Sequence, residues 1–159
     1  MNFKRLFYAA SAIFLFALLW NGVVHMVILR NANLVLEHIA RPASERSLFL
    51  SLVQTAVLSF CFVLTYALSA RSKGFRGGLV HGALFGLVAG LLVDLNQYIL
   101  YPIPAALVAA WFGFGFVEFC IYGLLAAWLY PIGAQPIIPP DLREKLSRPM
   151  DSDVSHTRS

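Results

Sequence analysis

The chain has 159 residues, of which 59% are hydrophobic and 13% charged, and its formal net charge is +4. A mean hydropathy of +0.73, carried in apolar blocks of roughly 20 residues rather than in periodic stripes, excludes a water-soluble globular domain. The solvent that this sequence suits is lipid. Its basic charge then reports membrane topology, and no nucleic-acid partner is expected.

Apolar windows predict transmembrane helices over residues 6–29, 47–70, 78–100 and 105–130, each near the roughly 20 residues that cross about 30 Å of hydrocarbon. The expected fold class is all-α and integral to the membrane: four antiparallel transmembrane helices in an up-down bundle, formed by residues 1–130. Lys4 and Arg5 precede the first window, but the run is longer than a signal-peptide core and has no small-x-small cleavage site, so it reads as a retained anchor.

The first connection, residues 30–46, can hold an interfacial turn through Leu34, Val35, Leu36 and Ile39, with Pro42 suited to opening the next helix. It reads as a plain loop, a ligand lid being the sharper alternative. Residues 71–77 and 101–104 are short connections, so spans two, three and four are expected to pack as consecutive neighbours. After Tyr130 come Pro131, Pro136, Pro139, Pro140 and Pro149 in a segment whose basic and acidic residues cancel. Residues 131–159 are therefore expected to be a disordered tail, with at most one helical turn over 141–146.

With both termini in the cytoplasm, nine basic residues lie inside and three (Arg30, Arg41 and Arg46) outside, the direction that the positive-inside rule requires. Phe3, Phe7, Tyr8, Tyr66, Trp128 and Tyr130 then fall at the inner boundary and Tyr98, Tyr101 and Trp111 toward the outer one, as interfacial anchors.

Gly78, Gly82, Gly86 and Gly90 recur at every fourth position of the third span. Four residues overshoot one helical turn by only about 40°, so these glycines form one shallow ridge that lets another backbone approach closely. Packing against Gly113, Gly115 and Gly123 of the fourth span is the plain use; contact with a second copy or a partner membrane protein is the sharper one.

Polar residues interrupt the apolar runs at few points. Counting rise from the cytoplasmic ends puts Glu118 at about 18 Å, Asn21 at about 22 Å, Gln54 and Asp94 at about 24 Å, and His25 at about 28 Å. Four helices thus bring polar groups to the outer half. Asn21 with His25, and Glu118 with Tyr122, form i, i+4 pairs. An ionised carboxylate near the bilayer centre costs at least about 2.5 kcal/mol, so Asp94 and Glu118 need partners. Three readings are open: a divalent metal on His25, Asp94 and Glu118, without a supporting ligand spacing; a proton- or cation-coupled path through the acids; and a structural network with Asn21, Asn96, Gln54 or Tyr122.

His25 and His81 lie about 24 Å apart in depth, too far for both axial ligands of one haem. His81 is expected at the surface beside Arg76. Cys61 and Cys120 lack a C-x-x-C context and are expected to be buried apolar residues. No nucleotide-binding, hydrolase or zinc-protease motif occurs, so no catalytic residue, resident metal or cofactor is assigned and no enzyme is expected.

N-G-V-V-H-M-V-I-L at residues 21–29, G-A-L-F-G-L-V-A-G at 82–90 and P-I-P-A-A-L-V-A-A-W-F-G-F-G-F-V-E at 102–118 together resemble a family of small, uncharacterised bacterial four-helix integral membrane proteins. The likeness covers residues 1–131 and departs at Met26, where members carry glycine after the first-helix histidine. It implies a multi-pass protein of the bacterial inner membrane, and no activity follows from it. The leading functional expectation is a non-enzymatic accessory or structural protein acting through helix contacts, on the strength of the ridge. The alternative is a small proton- or cation-coupled transporter or ion-handling protein using Asn21, His25, Gln54, Asp94 and Glu118.

Overall fold

A computed structural model describes residues 2–69 and 74–131. The expected tail beyond Pro131, with its turn at 141–146, lies outside the described residues. Helix α1 (Phe3–Val23) continues without a break into a π-helical turn, Val24–Ile28. After two 3₁₀ turns, Ala32–His38 and Ala43–Glu45, come α2 (Leu48–Ser69) and α3 (Gly74–Ala89). A second π-helical stretch, Gly90–Leu95, joins α3 to the short α4 (Asn96–Leu100), and α5 (Ala105–Leu129) follows. Among the described residues the chain is all-α, with four continuous apolar helices: Phe3–Ile28, Leu48–Leu68, Gly74–Leu100 and Ala105–Leu129. At about 1.5 Å per residue, even the shortest of them reaches the thickness of a hydrocarbon core.

Local chemistry fixes several of these ends. The Asn2 side chain accepts from the backbone N–H of Arg5 at 3.2 Å and caps α1. Ser47 Oγ accepts from Leu50 N–H at 3.2 Å and opens α2. Within α2, the hydroxyls of Ser51, Thr55, Ser59 and Thr65 each donate to the carbonyl four residues earlier, so these four groups are satisfied inside the helix. The third helix begins at Gly74, four residues before the apolar window. Gly74 has φ +75°, a turn conformation that favours glycine, and nothing in Phe75, Arg76 or Gly77 breaks the helix that follows. Arg76 lies at the helix end, where its long stem can carry the charge to a membrane surface. The expected connection over 71–77 is therefore shorter than the hydropathy suggests.

The closest packing is between α3 and α5, and the glycine ridge makes it. Gly78, Gly82, Gly86 and Gly90 are all buried. Gly78 meets Gly123 and Ala127, Gly82 meets Phe119 and Cys120, Gly86 meets Phe116 and Phe119, and Gly90 meets the Phe112 ring, numbers falling on α5 as they rise on α3. A Cβ added at Gly82 would sit 2.9 Å from the Phe119 carbonyl carbon. The ridge is thus filled from within the chain. Of the three expected partner glycines only Gly123 takes part, since Gly113 and Gly115 border open space.

Spans two, three and four do not form the expected consecutive unit. Helix α2 packs chiefly on α1, and α1 on α5, whereas the α2 and α3 backbones hardly approach. A short connection limits separation at one end only. Bulky rings stand between these two helices: Phe62 lies 4.9 Å from His81 and 5.1 Å from Phe85, and Tyr66 lies 5.5 Å from His81 between ring centroids. Leu6, Ala9, Ala10, Ile13 and Ala17 of α1 join Phe62, Val63, Tyr66, Phe119 and Tyr122 in the main core. A second cluster of Val24, Leu29, Ile103, Leu107 and Val108 closes the end that carries both connections.

Several side chains depart from their expected places. Tyr66 is 0% exposed and belongs to the core, not to a boundary. His81 is half-buried among Phe62, Tyr66 and Phe85 and lies 3.4 Å from Thr65 Oγ1, so it is not a surface residue. Cys61 is exposed rather than buried, Cys120 is half-buried, and both are free thiols. Trp128, Phe3, Phe7 and Tyr8 are exposed near the helix ends. Leu19, Leu50, Leu68, Leu92 and Ile99 are also exposed. Apolar side chains outside and polar groups inside fit a multi-pass membrane protein.

Candidate functional site

A cavity of about 710 Å³ lies between the two apolar clusters, partly open, at the end that carries both connections. That volume falls within the range of about 300–1,000 Å³ usual for small-molecule sites. Asn21, His25, Gln54, Asp94 and Glu118 all line it. The polar residues that the sequence places at similar depth on four different helices therefore share one wall.

Two π-helical turns shape the cavity, and each carries one of its ionisable residues: His25 in Val24–Ile28 and Asp94 in Gly90–Leu95. A π turn closes its hydrogen bonds at i+5 and widens the helix locally, a distortion frequent at functional sites. Asp94 stands half-buried on the cavity wall, which Gly86 and Gly90 of the ridge also line.

Glu118 is the most buried of these polar groups, at 8% exposed. Asn21 Nδ2 donates to Glu118 Oε1 at 2.7 Å and also to the Ala17 carbonyl at 2.9 Å. The Tyr122 hydroxyl donates to the same Glu118 oxygen. Two donors on one oxygen tie α1 to α5 and leave Oε2 without a hydrogen bond among the described residues. This is the structural network expected for Asn21 and Tyr122; Gln54 and Asn96 take no part in it.

Asp94 is different, because its carboxyl group has no hydrogen-bond or ionic partner among the described residues. His25 is tied to the first connection rather than to the acids. Asn33 Nδ2 lies 3.5 Å from His25 Nδ1 and donates to the His25 carbonyl at 3.2 Å. His25, Asp94 and Glu118 line one cavity without converging, and no group of three His, Cys, Asp or Glu residues placed to hold a metal occurs among the described residues.

Several wall residues escaped the sequence reading. Gln97 lines the cavity, one turn beyond Asp94. Trp111 and Tyr101, read as outer anchors, are wall residues, and Trp20 is another. Trp20 stacks on Phe16 at 5.7 Å and meets Phe114 edge-on at 6.5 Å. The indole nitrogens of Trp20 and Trp111 are buried without partners among the described residues. Leu36, Ile39 and Ala40 of the first connection also face the cavity, so this segment covers the site and is more than a spacer. Among the described residues no Lys or Arg lines the cavity.

The arrangement offers a mostly apolar, ring-rich chamber with one engaged and one unengaged carboxyl group. Comparison of the chain with family models, with curated proteins and with solved structures gives no match.

Proposed function

We propose that this chain is a non-enzymatic multi-pass protein of a bacterial cytoplasmic membrane that binds a small ligand or cation in its cavity. In this reading the four spans alternate in direction and both termini are cytoplasmic, as the distribution of basic residues favours. The family resemblance supports the bacterial setting. The observation that carries the function is the meeting of Asn21, His25, Gln54, Asp94 and Glu118 on one 710 Å³ cavity. Ionisable residues within a membrane segment are costly, and those facing a bundle interior mark ligand, ion or proton pathways as a rule.

The accessory reading rested on the glycine ridge, and that ridge is occupied by α5 of the same chain. The balance therefore moves to ligand and ion handling. The alternating spans would place the cavity in the outer half of the bilayer, beneath the 30–46 connection.

Native mass spectrometry of the protein released from its own membrane tests this reading. A retained small molecule or ion is expected in the wild type, and it is expected to be lost in Gly115→Leu. Gly115 lines the cavity and an added Cβ there meets nothing within 4 Å, so the larger side chain fills the chamber without disturbing a helix contact. Oligomers or complexes free of small-ligand mass would overturn the proposal and restore the contact reading.

A further inference from the structure

We propose that the occupant of the cavity is an organic monocation with an apolar body, for which Asp94 supplies the counter-charge; this rests on the reading of the cavity as a ligand site. Three independent features of the wall select that class. The first is the sign of its charge. Two carboxyl groups line the chamber, and among the described residues no Lys or Arg accompanies them. The one basic side chain on the wall, His25, is directed by Asn33 toward the connection.

The second feature is the difference between the acids. Glu118 is already engaged by Asn21 and Tyr122. Asp94 has no hydrogen-bond or ionic partner among the described residues, although it stands half-buried on the wall of a mostly apolar chamber. A carboxylate in such surroundings is stabilised by an opposite charge brought to it. A cationic ligand supplies one, while an anionic ligand would add repulsion.

The third feature is the size and chemistry of the rest of the wall. A bare inorganic cation needs several converging oxygen or nitrogen ligands within about 2–2.6 Å, and no three His, Cys, Asp or Glu side chains are placed to supply them among the described residues. Trp20, Trp111, Phe114, Phe116 and Tyr101 instead present aromatic rings around the chamber. Aromatic rings attract organic cations through their quadrupoles while burying the apolar body of the ligand. The 710 Å³ volume suits a molecule of drug-like size.

The test uses the full chain in nanodiscs of zwitterionic lipid and two probes of nearly the same shape and opposite charge, tetraphenylphosphonium and tetraphenylborate. Equilibrium dialysis against empty nanodiscs removes partitioning into lipid. Saturable binding of tetraphenylphosphonium is expected, with tetraphenylborate at least about tenfold weaker. Asp94→Asn is expected to weaken tetraphenylphosphonium binding at least about tenfold, Asp94→Glu to retain most of it, and Gly115→Leu to abolish it. Size-exclusion profiles show that each variant is assembled before it is compared.

Equal binding of the two probes, or full affinity in Asp94→Asn, would overturn the cation assignment. If the wild type retains a neutral or anionic molecule in native mass spectrometry and shows no preference for tetraphenylphosphonium, the ligand class falls and the cavity reading stands. If neither probe nor native ligand is bound, both fall.

Discussion

Helices α3 and α5 meet in two ways along their length, and the contrast separates what holds the bundle together from what opens it. From Gly78 to Gly86 the backbones lie close enough that an added Cβ meets backbone or Cβ atoms of α5. From Gly90 to Leu95 the third helix widens into a π turn, where Gly90 meets the Phe112 ring rather than backbone and Asp94 stands on a cavity. Small residues at helical spacing thus close one half of the seam, while a change of helical pitch leaves the other half free for polar groups. The two regions should respond to substitution in opposite ways.

The largest effect is expected in the closed half. In Gly82→Ala the new methyl group collides with the Phe119 backbone, which cannot move without shifting α5. A loss of about 3 kcal/mol is expected, at the upper end of ordinary overpacking. Gly86→Ala places its methyl 3.1 Å from Phe119 Cβ and 3.2 Å from Phe116 Cα, and should cost nearer about 1 kcal/mol. Gly113→Ala borders open space and should be neutral or slightly stabilising. Unfolding midpoints in a mild detergent, ranked across the three variants, check the order. Equal loss at Gly82 and Gly113 would break the assignment of the seam.

The engaged acid comes next. Glu118→Ala removes the acceptor of both Asn21 and Tyr122, leaving two donors without their partner, and is expected to cost about 1–3 kcal/mol. Tyr122→Phe deletes a single hydrogen bond and should cost about 0.6 kcal/mol, and no more than about 1.7 kcal/mol, as is usual for side-chain hydrogen bonds within a membrane bundle. Combining Asn21→Ala with Glu118→Ala should cost less than the sum of the single changes, because each already breaks the same bond. Strict additivity in that cycle would show that the bond contributes nothing.

Much of this was legible in the sequence for one physical reason: in a chain suited to lipid, polarity and smallness are both exceptions. Asn21, Gln54, Asp94 and Glu118 stand out in apolar runs, and their depth along each helix follows from a fixed rise per residue. The glycine spacing predicted a close helix contact and Gly123 as a partner. Which helices pair was harder to read, because a short connection between α2 and α3 does not fix how far apart their axes run once Phe62, Tyr66 and Phe85 fill the gap. Aromatic residues misled for a related reason. The composition of a membrane-interface anchor and of a core residue is the same, so Tyr66 and Trp111 gave no local sign of their burial. The π turns, which carry His25 and Asp94, left no readable pattern either.

A small expected effect on stability is also the most discriminating. Asp94→Asn keeps the size and shape of the side chain and breaks no hydrogen bond or ion pair among the described residues, so the unfolding midpoint should shift by no more than about 0.5 kcal/mol in equivalent free energy. Glu118→Gln, by contrast, puts an amide where Asn21 and Tyr122 both require an acceptor. Its carbonyl can still accept, but without the charge that strengthens such bonds, so a loss of about 1 kcal/mol is expected. A carboxyl group that can be neutralised without structural consequence, inside a bundle where its neighbour cannot, is held in place for something other than the fold. A loss in Asp94→Asn as large as that in Glu118→Gln would instead make both acids parts of one structural network, and the open half of the seam would then differ from the closed half only in its packing density.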